Sequence, residues 1–324
     1  MALGAALALW SGCGGTERDP SDAERPSASA KEWRVTLDSV DGPENVSVLM
    51  ALHRGFFEDV GLDVWAGSPL EPNRPASYVA KETDDFGLLQ LPQLAIAREK
   101  GMPLVAVGSV IPQPMATMIW LKGSGISDIA DLEGKTVAIP GAPFQRRLLE
   151  AVLTRAGLKP ADVEVKEVGY NLVGVLRQGK ADAVFGGSEG IEGVKLESLG
   201  AEPVITSPKK LGLPEYDELI VVTRSDLAAA EPQLVRDFMS AVNRGTAAAI
   251  KDPGDAVDAV VEGLEANPPP NRSVMESQMR ATLPLLSRSG HLDRERVEGL
   301  IAWMHQEGLI AREVPAETLL DAGS

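Results

Sequence analysis

The chain has 324 residues, which is enough for about two domains with a large buried core. Apolar residues make up 44% of the sequence, the share of an ordinary soluble globular protein, so disorder of the whole chain is excluded. A formal net charge of −16 argues against nucleic acid as a partner, because the phosphate backbone would be repelled.

The first 13 residues, MALGAALALWSGC, look like a bacterial lipoprotein signal segment. A short apolar stretch ends in small residues directly before Cys13, so we expect cleavage before this cysteine and lipid attachment to its thiol. The apolar run is too short to span a bilayer, and a free thiol in an ordinary secretion signal is the alternative. Residues 14–32 contain Gly, Pro, Ser and charges with almost no apolar anchor, which predicts a flexible tether.

From Trp33 onward, short β-rich runs alternate with amphipathic helical patterns. The predicted strands are WRVTL, DFGLL, PLVAVGSV, ATMIWLK, KTVAIPG, VEVKEVG, ADAVFGG, EPVIT and ELIVVT. The helices predicted between them include VSVLMALHRGFFEDVG, PQLAIAREKG, FQRRLLEAVLTRAG and NLVGVLRQGK, with helix ends expected at Gly61, Gly101 and Gly157. This alternation predicts an α/β fold with mostly parallel sheets.

After about residue 224 the pattern is almost entirely helical. Because helices at the end of an α/β chain often pack back on an earlier domain, we expect two lobes. The first comprises 33–117 and 224–324, and the second comprises 118–223. Two lobes joined by two chain crossings enclose a cleft, which is a preferred place for a small-molecule site.

The run FGGSEGIEG at 185–193 contains G-x-S-x-G around Ser188, the pattern of a nucleophile elbow in hydrolases. Such an enzyme needs an acidic residue and then a histidine downstream, but His291 and His305 both fall on helical patterns. No HGG-type segment for an oxyanion hole precedes the run. A serine hydrolase is therefore the weaker alternative, and Ser188 is not expected to be a catalytic residue.

Nucleotide and metal chemistry find little support either. Gly134-Lys135-Thr136 resembles the end of a phosphate-binding loop, but it precedes a strand and has Ile129 at the required earlier glycine. The single cysteine and three well-separated histidines show no recognisable zinc spacing. No metal and no cofactor is expected.

The segment DLEGKTVAIPGAPFQ predicts a strand that ends at Gly141, followed by a helix that begins near Phe144. Exposed N–H groups at a helix start can bind an acceptor or anion on a ligand, which makes Gly141, Ala142 and Gln145 candidate ligand-binding residues. A well-capped turn without a ligand explains the segment equally well.

Several stretches, taken together, resemble the solute-binding proteins of ABC importers, in the group related to yeast thiamine-pyrimidine synthase. The bacterial ThiY proteins are the branch with the greatest similarity. The matching stretches cover most of 33–223: GFFEDVGLDV, DFGLLQLPQLAIAREKGMPLVAVGSVI, MIWLKGSGISDIADLEGKTVAIPGAPFQ, VGYNLVGVLRQGKADAVFGG, EGVKLESLGAEPVI and GLPEYDELIVVT.

The resemblance implies a two-lobed fold of the type II periplasmic-binding class that closes by a hinge around one small ligand. It also implies a monomer outside the cytoplasm, held at the membrane only by its lipid. Such a protein delivers its ligand to a membrane permease driven by a separate ATPase. The ligand implied is a thiamine-precursor-type aminopyrimidine, with a flavin, a small amine or a sulfonate as alternatives.

Family positions indicate further site residues. Ser39 and Asn45 stand where relatives carry a tryptophan and a histidine, and Gln90 follows Leu89 where relatives have Ser-Tyr. In the yeast synthase that histidine is consumed with a bound pyridoxal phosphate, and a cysteine-rich motif binds iron. Asn45 and the single Cys13 therefore argue against synthase activity.

Two more segments carry ligand-binding candidates. The family loop G-G-Y-W-N-x-E corresponds here to Gly186–Glu192, which makes Ser188, Glu189 and Glu192 candidates. The family pattern P-x-Y-x-E-L is retained as Tyr216 and Glu218. The resemblance implies that Glu218 accepts hydrogen bonds from the amino and ring-nitrogen edge of an aminopyrimidine; a solvated loop carboxylate is the alternative. If Glu189 and Glu218 both face the cleft, the ligand should carry donors or positive charge.

Overall fold

The computed structural model describes residues 31–39, 42–69, 71, 74–141, 143–263 and 270–321. Within these ranges the chain forms two five-stranded sheets with helices packed on them, which confirms the predicted α/β class. The predicted signal segment with Cys13, and the predicted tether as far as residue 30, lie outside the described residues. None of the described helices has both the length and the apolar character that a membrane span requires.

The first sheet combines four early strands with one that returns much later in the chain. Its strand order is β2-β1-β3-β10-β4. The strands are β1 (Glu32–Thr36), β2 (Asp63–Gly67), β3 (Phe86–Leu89), β4 (Leu104–Ile111) and β10 (Leu219–Arg224). The helices between the early strands are α1 (Val46–His53), α2 (Arg74–Ala80) and α3 (Leu91–Glu99).

The second sheet is formed by the middle of the chain, in the strand order β7-β6-β8-β5-β9. Its strands are β5 (Thr117–Leu121), β6 (Thr136–Ile139), β7 (Glu164–Glu167), β8 (Ala183–Gly187) and β9 (Pro203–Thr206). Its helices are α4 (Pro143–Arg155), α5 (Leu172–Arg177) and α6 (Val194–Ser198), and a π-helical turn at Glu189–Gly193 precedes α6.

Both sheets are mixed, whereas the alternation of strands and helices predicts mostly parallel sheets. Strand β1 runs parallel to β2 and β3, but β10 is antiparallel to β3 and β4. In the second sheet β6 is parallel to β7 and β8, but β5 is antiparallel to β8 and β9. The reason is that β5 and β10 each enter a sheet directly from the other sheet, without the crossover helix that keeps successive strands parallel.

The C-terminal third is helical, as its sequence pattern predicts. The helices are α7 (Ser225–Ala230), α8 (Pro232–Lys251), α9 (Pro253–Gly263), α10 (Arg272–Thr282) and α11 (Arg294–Gln306). Helix α8 packs on α1 of the first sheet's layer, so this part of the chain does return to the earlier fold. Gly61, Gly101 and Gly157 adopt positive φ at the predicted helix ends.

An aromatic cluster anchors α8 to the first sheet. The ring of Phe238 stacks on that of Phe86 with centroids 3.9 Å apart, and its centroid lies 5.0 Å from that of Phe57. All three side chains are fully buried. They join one helix, one strand and the turn after α1 into a single apolar core.

Helices α1 and α8 also approach each other closely at one glycine. A Cβ atom at Gly245 would lie 2.1 Å from the backbone oxygen of Ser47 and 2.9 Å from the backbone nitrogen of Ala51. Because backbone atoms cannot move aside as a side-chain end can, only glycine permits this helix spacing.

Replacing Phe238 with alanine should lower the free energy of unfolding by about 3–5 kcal/mol, since it empties a site that two other rings line. Equilibrium urea unfolding measures this loss. The exposed Leu199 provides the control, because Leu199→Ala should change stability by no more than about 0.5 kcal/mol. Equal effects of the two substitutions would contradict the packing described.

Two helix-interior glycines should respond in opposite directions to alanine. Gly245→Ala should destabilise the protein by about 1–3 kcal/mol, because the added methyl forces α1 and α8 apart. Gly299→Ala in α11 meets nothing within 4 Å and should stabilise by about 0.4–1 kcal/mol through the reduced entropy of the unfolded chain. Thermal and urea unfolding of both variants check this; the same sign for both is the contradicting result.

Candidate ligand-binding site

The chain passes from the first sheet to the second at 112–116 and returns at 207–218. At the point of return, Leu219 of β10 pairs with Ile111 of β4, so the two crossings lie side by side. Residues 219–223, which the sequence pattern places in the second lobe, therefore pair within the first sheet. The two crossings therefore bring an edge of the first sheet close to an edge of the second.

Buried polar contacts tie the crossings together. The Ser109 hydroxyl donates to Asp217 Oδ1 at 2.5 Å, and Arg296 of α11 donates from Nη1 to the Pro112 carbonyl at 2.6 Å. The same guanidinium nitrogen lies 3.9 Å from Asp217 Oδ2. Burial raises the pKa of the Asp217 carboxyl, and the contacts from Ser109 and Arg296 partly offset this effect.

A cavity of about 120 Å³ lies at these crossings, between the two sheets. Its wall comes from the segments that follow β1, β3, β6, β7 and β8, where the carboxyl ends of strands from both sheets meet. Ligands of open α/β sheets bind at such carboxyl ends. Six of the predicted site residues line the cavity: Ser39, Gln90, Gln145, Ser188, Glu192 and Glu218.

The other predicted residues lie elsewhere. Asn45 and Tyr216 are buried behind the wall, where they hold lining residues in place. Gly141 adopts a φ of +101° at the end of β6 but does not line the cavity. Ala142 lies outside the described residues. Glu189 is exposed and also does not line the cavity.

Asn45 organises the loop that follows β1. Its Nδ2 donates to Ser39 Oγ at 2.9 Å, and its Oδ1 accepts from the backbone nitrogen of Asp38 at 3.1 Å. The Ser39 hydroxyl also accepts from the Gly42 backbone nitrogen at 3.2 Å. The amide of Asn45 is thus occupied by its own loop and fixes the positions of Asp38 and Ser39.

The loop after β8 is capped by the serine that sequence reasoning considered as a nucleophile. Ser188 Oγ accepts from the backbone nitrogen of Ile191 at 3.1 Å, and the Ser188 backbone nitrogen donates to Glu192 Oε2 at 2.7 Å. Residues three and four positions apart share one face of a helical turn. Ser188, Ile191 and Glu192 therefore face the cavity, whereas Glu189 faces outward, in contrast to the expectation that it accompanies Glu218.

The histidines do not join Ser188 in the cavity wall. His53, His291 and His305 are all absent from the cavity wall as the structure describes it. His305 lies exposed on α11, as predicted, but His291 lies in the loop before α11 instead of on a helix. Ser188 thus lacks the base that a G-x-S-x-G hydrolase requires.

Two hydrogen bonds hold Glu218 in the cavity wall. Its Oε2 accepts from the Met115 backbone nitrogen at 2.7 Å and from the Tyr216 hydroxyl at 3.1 Å. Burial raises the pKa of Glu218, and hydrogen bonds from Met115, Tyr216 and the Ala116 backbone oppose that shift. Glu218 thereby joins both chain crossings at the wall of the cavity.

Sequence reasoning missed three polar residues of the wall: Asp38, Glu44 and Tyr170. Asp38 Oδ1 accepts from Gln90 Nε2 at 2.8 Å. Burial raises the pKa of Asp38 well above its usual range, the nearby Glu44 and Glu218 carboxyls raise it further, and the Gln90 bond lowers it. The signal that could have pointed to Asp38 is its place two residues after the end of β1, at a strand end where α/β proteins bind ligands.

Tyr170 crosses the cavity from the second sheet to the first. It follows β7, and its hydroxyl donates to the Asp38 backbone carbonyl at 3.1 Å. Its ring lines the cavity and is 37% exposed, so it forms part of the rim. Tyr170 supplies an aromatic face to the cavity.

The electrostatic character of the cavity is acidic. Asp38, Glu44, Glu192 and Glu218 line it, and no lysine, arginine or histidine occurs among its described lining residues. Carboxylates only accept hydrogen bonds, so the wall suits a ligand with donors or positive charge. No group of His, Cys, Asp and Glu in the described part of the chain has an arrangement that could hold a metal ion.

Known proteins with similar folds were found among bacterial binding proteins. The alkanesulfonate-binding protein SsuA from Xanthomonas axonopodis pv. citri, bound to MOPS, matches with a TM-score of 0.71 at 17% identity over 90% of this chain and 99% of that one. The ligand-binding component of an ABC-type import system from Staphylococcus aureus matches with a TM-score of 0.69 at 12% identity, over 91% of this chain and 100% of that one. These similarities confirm the two-lobed periplasmic-binding-protein fold.

Sequence relatives are connected with thiamine and pyrimidines. A Haemophilus influenzae protein named for thiamine biosynthesis is 31% identical over 290 residues, covering 89% of this chain and 90% of that protein. The formylaminopyrimidine-binding protein of Halalkalibacterium halodurans is 28% identical over 87% of each chain. The family model described as "NMT1/THI5 like" matches residues 43–256. The chain therefore belongs to the NMT1/THI5-like family, as its sequence motifs predict.

Proposed function

We propose that this protein is the extracytoplasmic solute-binding component of an ABC importer and binds a thiamine-precursor-type aminopyrimidine between its two sheets. The observation that carries the proposal is the cavity at the chain crossings, with Glu218 held in its wall by Met115 and Tyr216. The relative from Halalkalibacterium halodurans is named for binding a formylaminopyrimidine, which supports a ligand of the same class.

The hydrogen-bonding groups of the wall match an aminopyrimidine. Such a ring presents an amino donor next to a ring nitrogen, and a carboxylate accepts from both when the nitrogen is protonated. Two hydrogen bonds reach Glu218 Oε2 from Met115 and Tyr216. Because an ionised carboxylate offers about four lone-pair sites, Glu218 retains capacity to accept from a ligand.

The same wall argues against the other ligands considered from sequence. A sulfonate would face Asp38, Glu44, Glu192 and Glu218 without a cation among the described lining residues, and like charges at close range repel strongly. A small amine fits the charge of the cavity but makes no use of its aromatic rim at Tyr170.

We propose that the chain performs no chemistry on its ligand. Relatives include the 4-amino-5-hydroxymethyl-2-methylpyrimidine phosphate synthase THI13 of Saccharomyces cerevisiae, 26% identical over 79% of this chain and 78% of that protein. The resemblance implies that Asn45 occupies the position of the histidine that the synthase consumes. The Asn45 amide instead forms hydrogen bonds within the loop after β1. Ser188 caps the loop after β8, so the G-x-S-x-G pattern has a structural explanation.

The proposal includes the membrane side of transport. Cys13 would carry the lipid anchor, and the protein would act as a monomer that delivers its ligand to a permease. Each lobe would be built on one sheet, with the return to the first lobe placed before Leu219 because β10 pairs there. Closure would bring the two lobes together about the crossings at 112–116 and 207–218.

Exchanging Glu218 for glutamine should weaken pyrimidine binding by about 10- to 100-fold, because hydrogen bonds to charged groups contribute about 1.5–3 kcal/mol. Isothermal titration with 4-amino-5-hydroxymethyl-2-methylpyrimidine and with formylaminopyrimidine measures the change. In the unmodified protein, ligand at 100 times its Kd should stabilise the fold by about 2.7 kcal/mol in a melt.

The matched control is Glu189→Gln, a substitution of the same kind at an exposed position outside the cavity wall. Its affinity should stay within about twofold of the unmodified protein, as is usual for surface changes. The proposal fails if neither pyrimidine binds, or if both variants bind as well as the unmodified protein. Ligand turnover by the purified protein would overturn the assignment as a non-enzyme.

Removing only the hydroxyl of Tyr170 should loosen the closed state. Tyr170→Phe deletes the bond to the Asp38 carbonyl, worth about 0.5–1.5 kcal/mol, so the ligand should dissociate about 2- to 10-fold faster. Stopped-flow displacement measures this rate. Tyr78→Phe is the control because Tyr78 does not line the cavity, and equal rates in the two variants would contradict a bridging role.

A further inference from the structure

Three carboxyl groups from three different segments meet on the first sheet's side of the cavity. Asp38 follows β1, Glu44 lies in the 3-10 turn Pro43–Asn45, and Glu218 precedes β10. Glu44 is only 7% exposed. We call Asp38, Glu44 and Glu218 the carboxyl cluster.

The described groups that face Asp38 are an amide, two carboxyls and a tyrosine hydroxyl. From its own sheet it faces Gln90, which donates to Oδ1, and the carboxyls of Glu44 and Glu218. From the second sheet Tyr170 donates to its backbone carbonyl, and Glu192 lines the opposite wall. Tyr216 directs its hydroxyl to Glu218. Among the described wall residues there is no cation to neutralise the cluster.

Carboxyl groups that share a buried site cannot all ionise together at ordinary pH, and their protons belong to the group as a whole. Burial and the neighbouring carboxyls raise the pKa of Asp38, and burial raises the pKa of Glu218. The empty cavity therefore retains a proton on the cluster at a pH where an exposed carboxyl would have lost it.

We propose that the carboxyl cluster transfers this retained proton to a basic ring nitrogen of the ligand, so that the ligand is bound as a cation. The inference rests on the proposed function and adds the chemical class of ligand, a weakly basic heterocycle without an anionic group. In the transfer a carboxyl O–H bond breaks, an N–H bond forms with the nitrogen lone pair, and the charge of cavity and ligand together stays the same.

The transfer converts an electrostatic cost of the empty cavity into an attraction. Before binding, the cluster is held partly neutral because ionised carboxylates would repel one another. After transfer, a carboxylate of the cavity wall faces a positively charged ring. Charge-assisted hydrogen bonds between such groups are shorter and stronger than neutral ones. A phosphate ester of the same pyrimidine brings negative charge into the same wall and should be rejected.

The complex holds one proton, which the cluster and the ligand share. This proton determines how the binding affinity depends on pH. Above the pH at which the cluster deprotonates, binding must take up a proton, so affinity falls as pH rises. Below the pKa of the free ligand, cluster and ligand both carry protons and one must leave, so affinity falls as pH decreases. Affinity should therefore pass through a maximum between these two values.

The test uses 4-amino-5-hydroxymethyl-2-methylpyrimidine labelled with ¹⁵N in the ring, at a pH above the pKa of the free compound and below the pH at which the cluster deprotonates. The ring nitrogen of the bound ligand should show the chemical shift of the protonated form while the free ligand shows that of the neutral form. Isothermal titration in two buffers of different ionisation enthalpy should give equal heats at this pH, because no proton is exchanged with solvent.

Variants connect the signal to the cluster. Asp38→Asn keeps the acceptor for Gln90 and removes the ionisable group. The ring nitrogen of the bound ligand should then lose the chemical shift of the protonated form, or the pH range of highest affinity should become narrower. Glu44→Gln gives a second variant in case Asp38→Asn does not fold, and Glu189→Gln should leave the spectrum unchanged. The phosphate ester should bind more than about tenfold more weakly than the free alcohol.

The outcomes separate the two proposals. Tight binding with an unprotonated ring nitrogen overturns the proton transfer and leaves the proposed function intact. Equal affinity for the alcohol and its phosphate ester also overturns the inference, because the wall would then not discriminate by charge. No binding of either pyrimidine contradicts the proposed function and the inference with it.

Discussion

The pairing of the two chain crossings is the constraint on which this fold depends. The chain leaves the first sheet after Ile111 and re-enters it at Leu219, and these residues are partners in adjacent strands. Ser109, Asp217 and Arg296 fix the crossings to each other and to α11. This arrangement makes both sheets mixed and brings their strand ends together around a single cavity.

Local patterns were sufficient for much of the architecture. Runs such as PLVAVGSV and FQRRLLEAVLTRAG became β4 and α4, because burial on two faces and amphipathic periodicity are properties of the segment itself. Strand direction is different, since it depends on which sheet a strand enters. The return of β10 to the first sheet is a long-range event that no local pattern encodes.

The site residues also divide into those that the sequence predicts and those that depend on the three-dimensional arrangement. Gln90 was predicted from its family position and Gln145 from its place at a helix start, and both line the cavity. Glu189 and Glu192 were not distinguishable, because only the geometry of the turn after Ser188 decides which one faces inward. Asp38 and Tyr170 were missed because their roles depend on a contact between residues 132 positions apart.

The acidic wall has a consequence that begins before any contact is made. A cleft with one sign of charge and low-dielectric sides focuses its field outward, which enriches cations near its mouth and depletes anions. This field extends over a Debye length of about 8 Å at physiological ionic strength, so added salt weakens it. The fraction of a basic ligand that is already protonated in solution would thus be collected faster at low salt than at high salt.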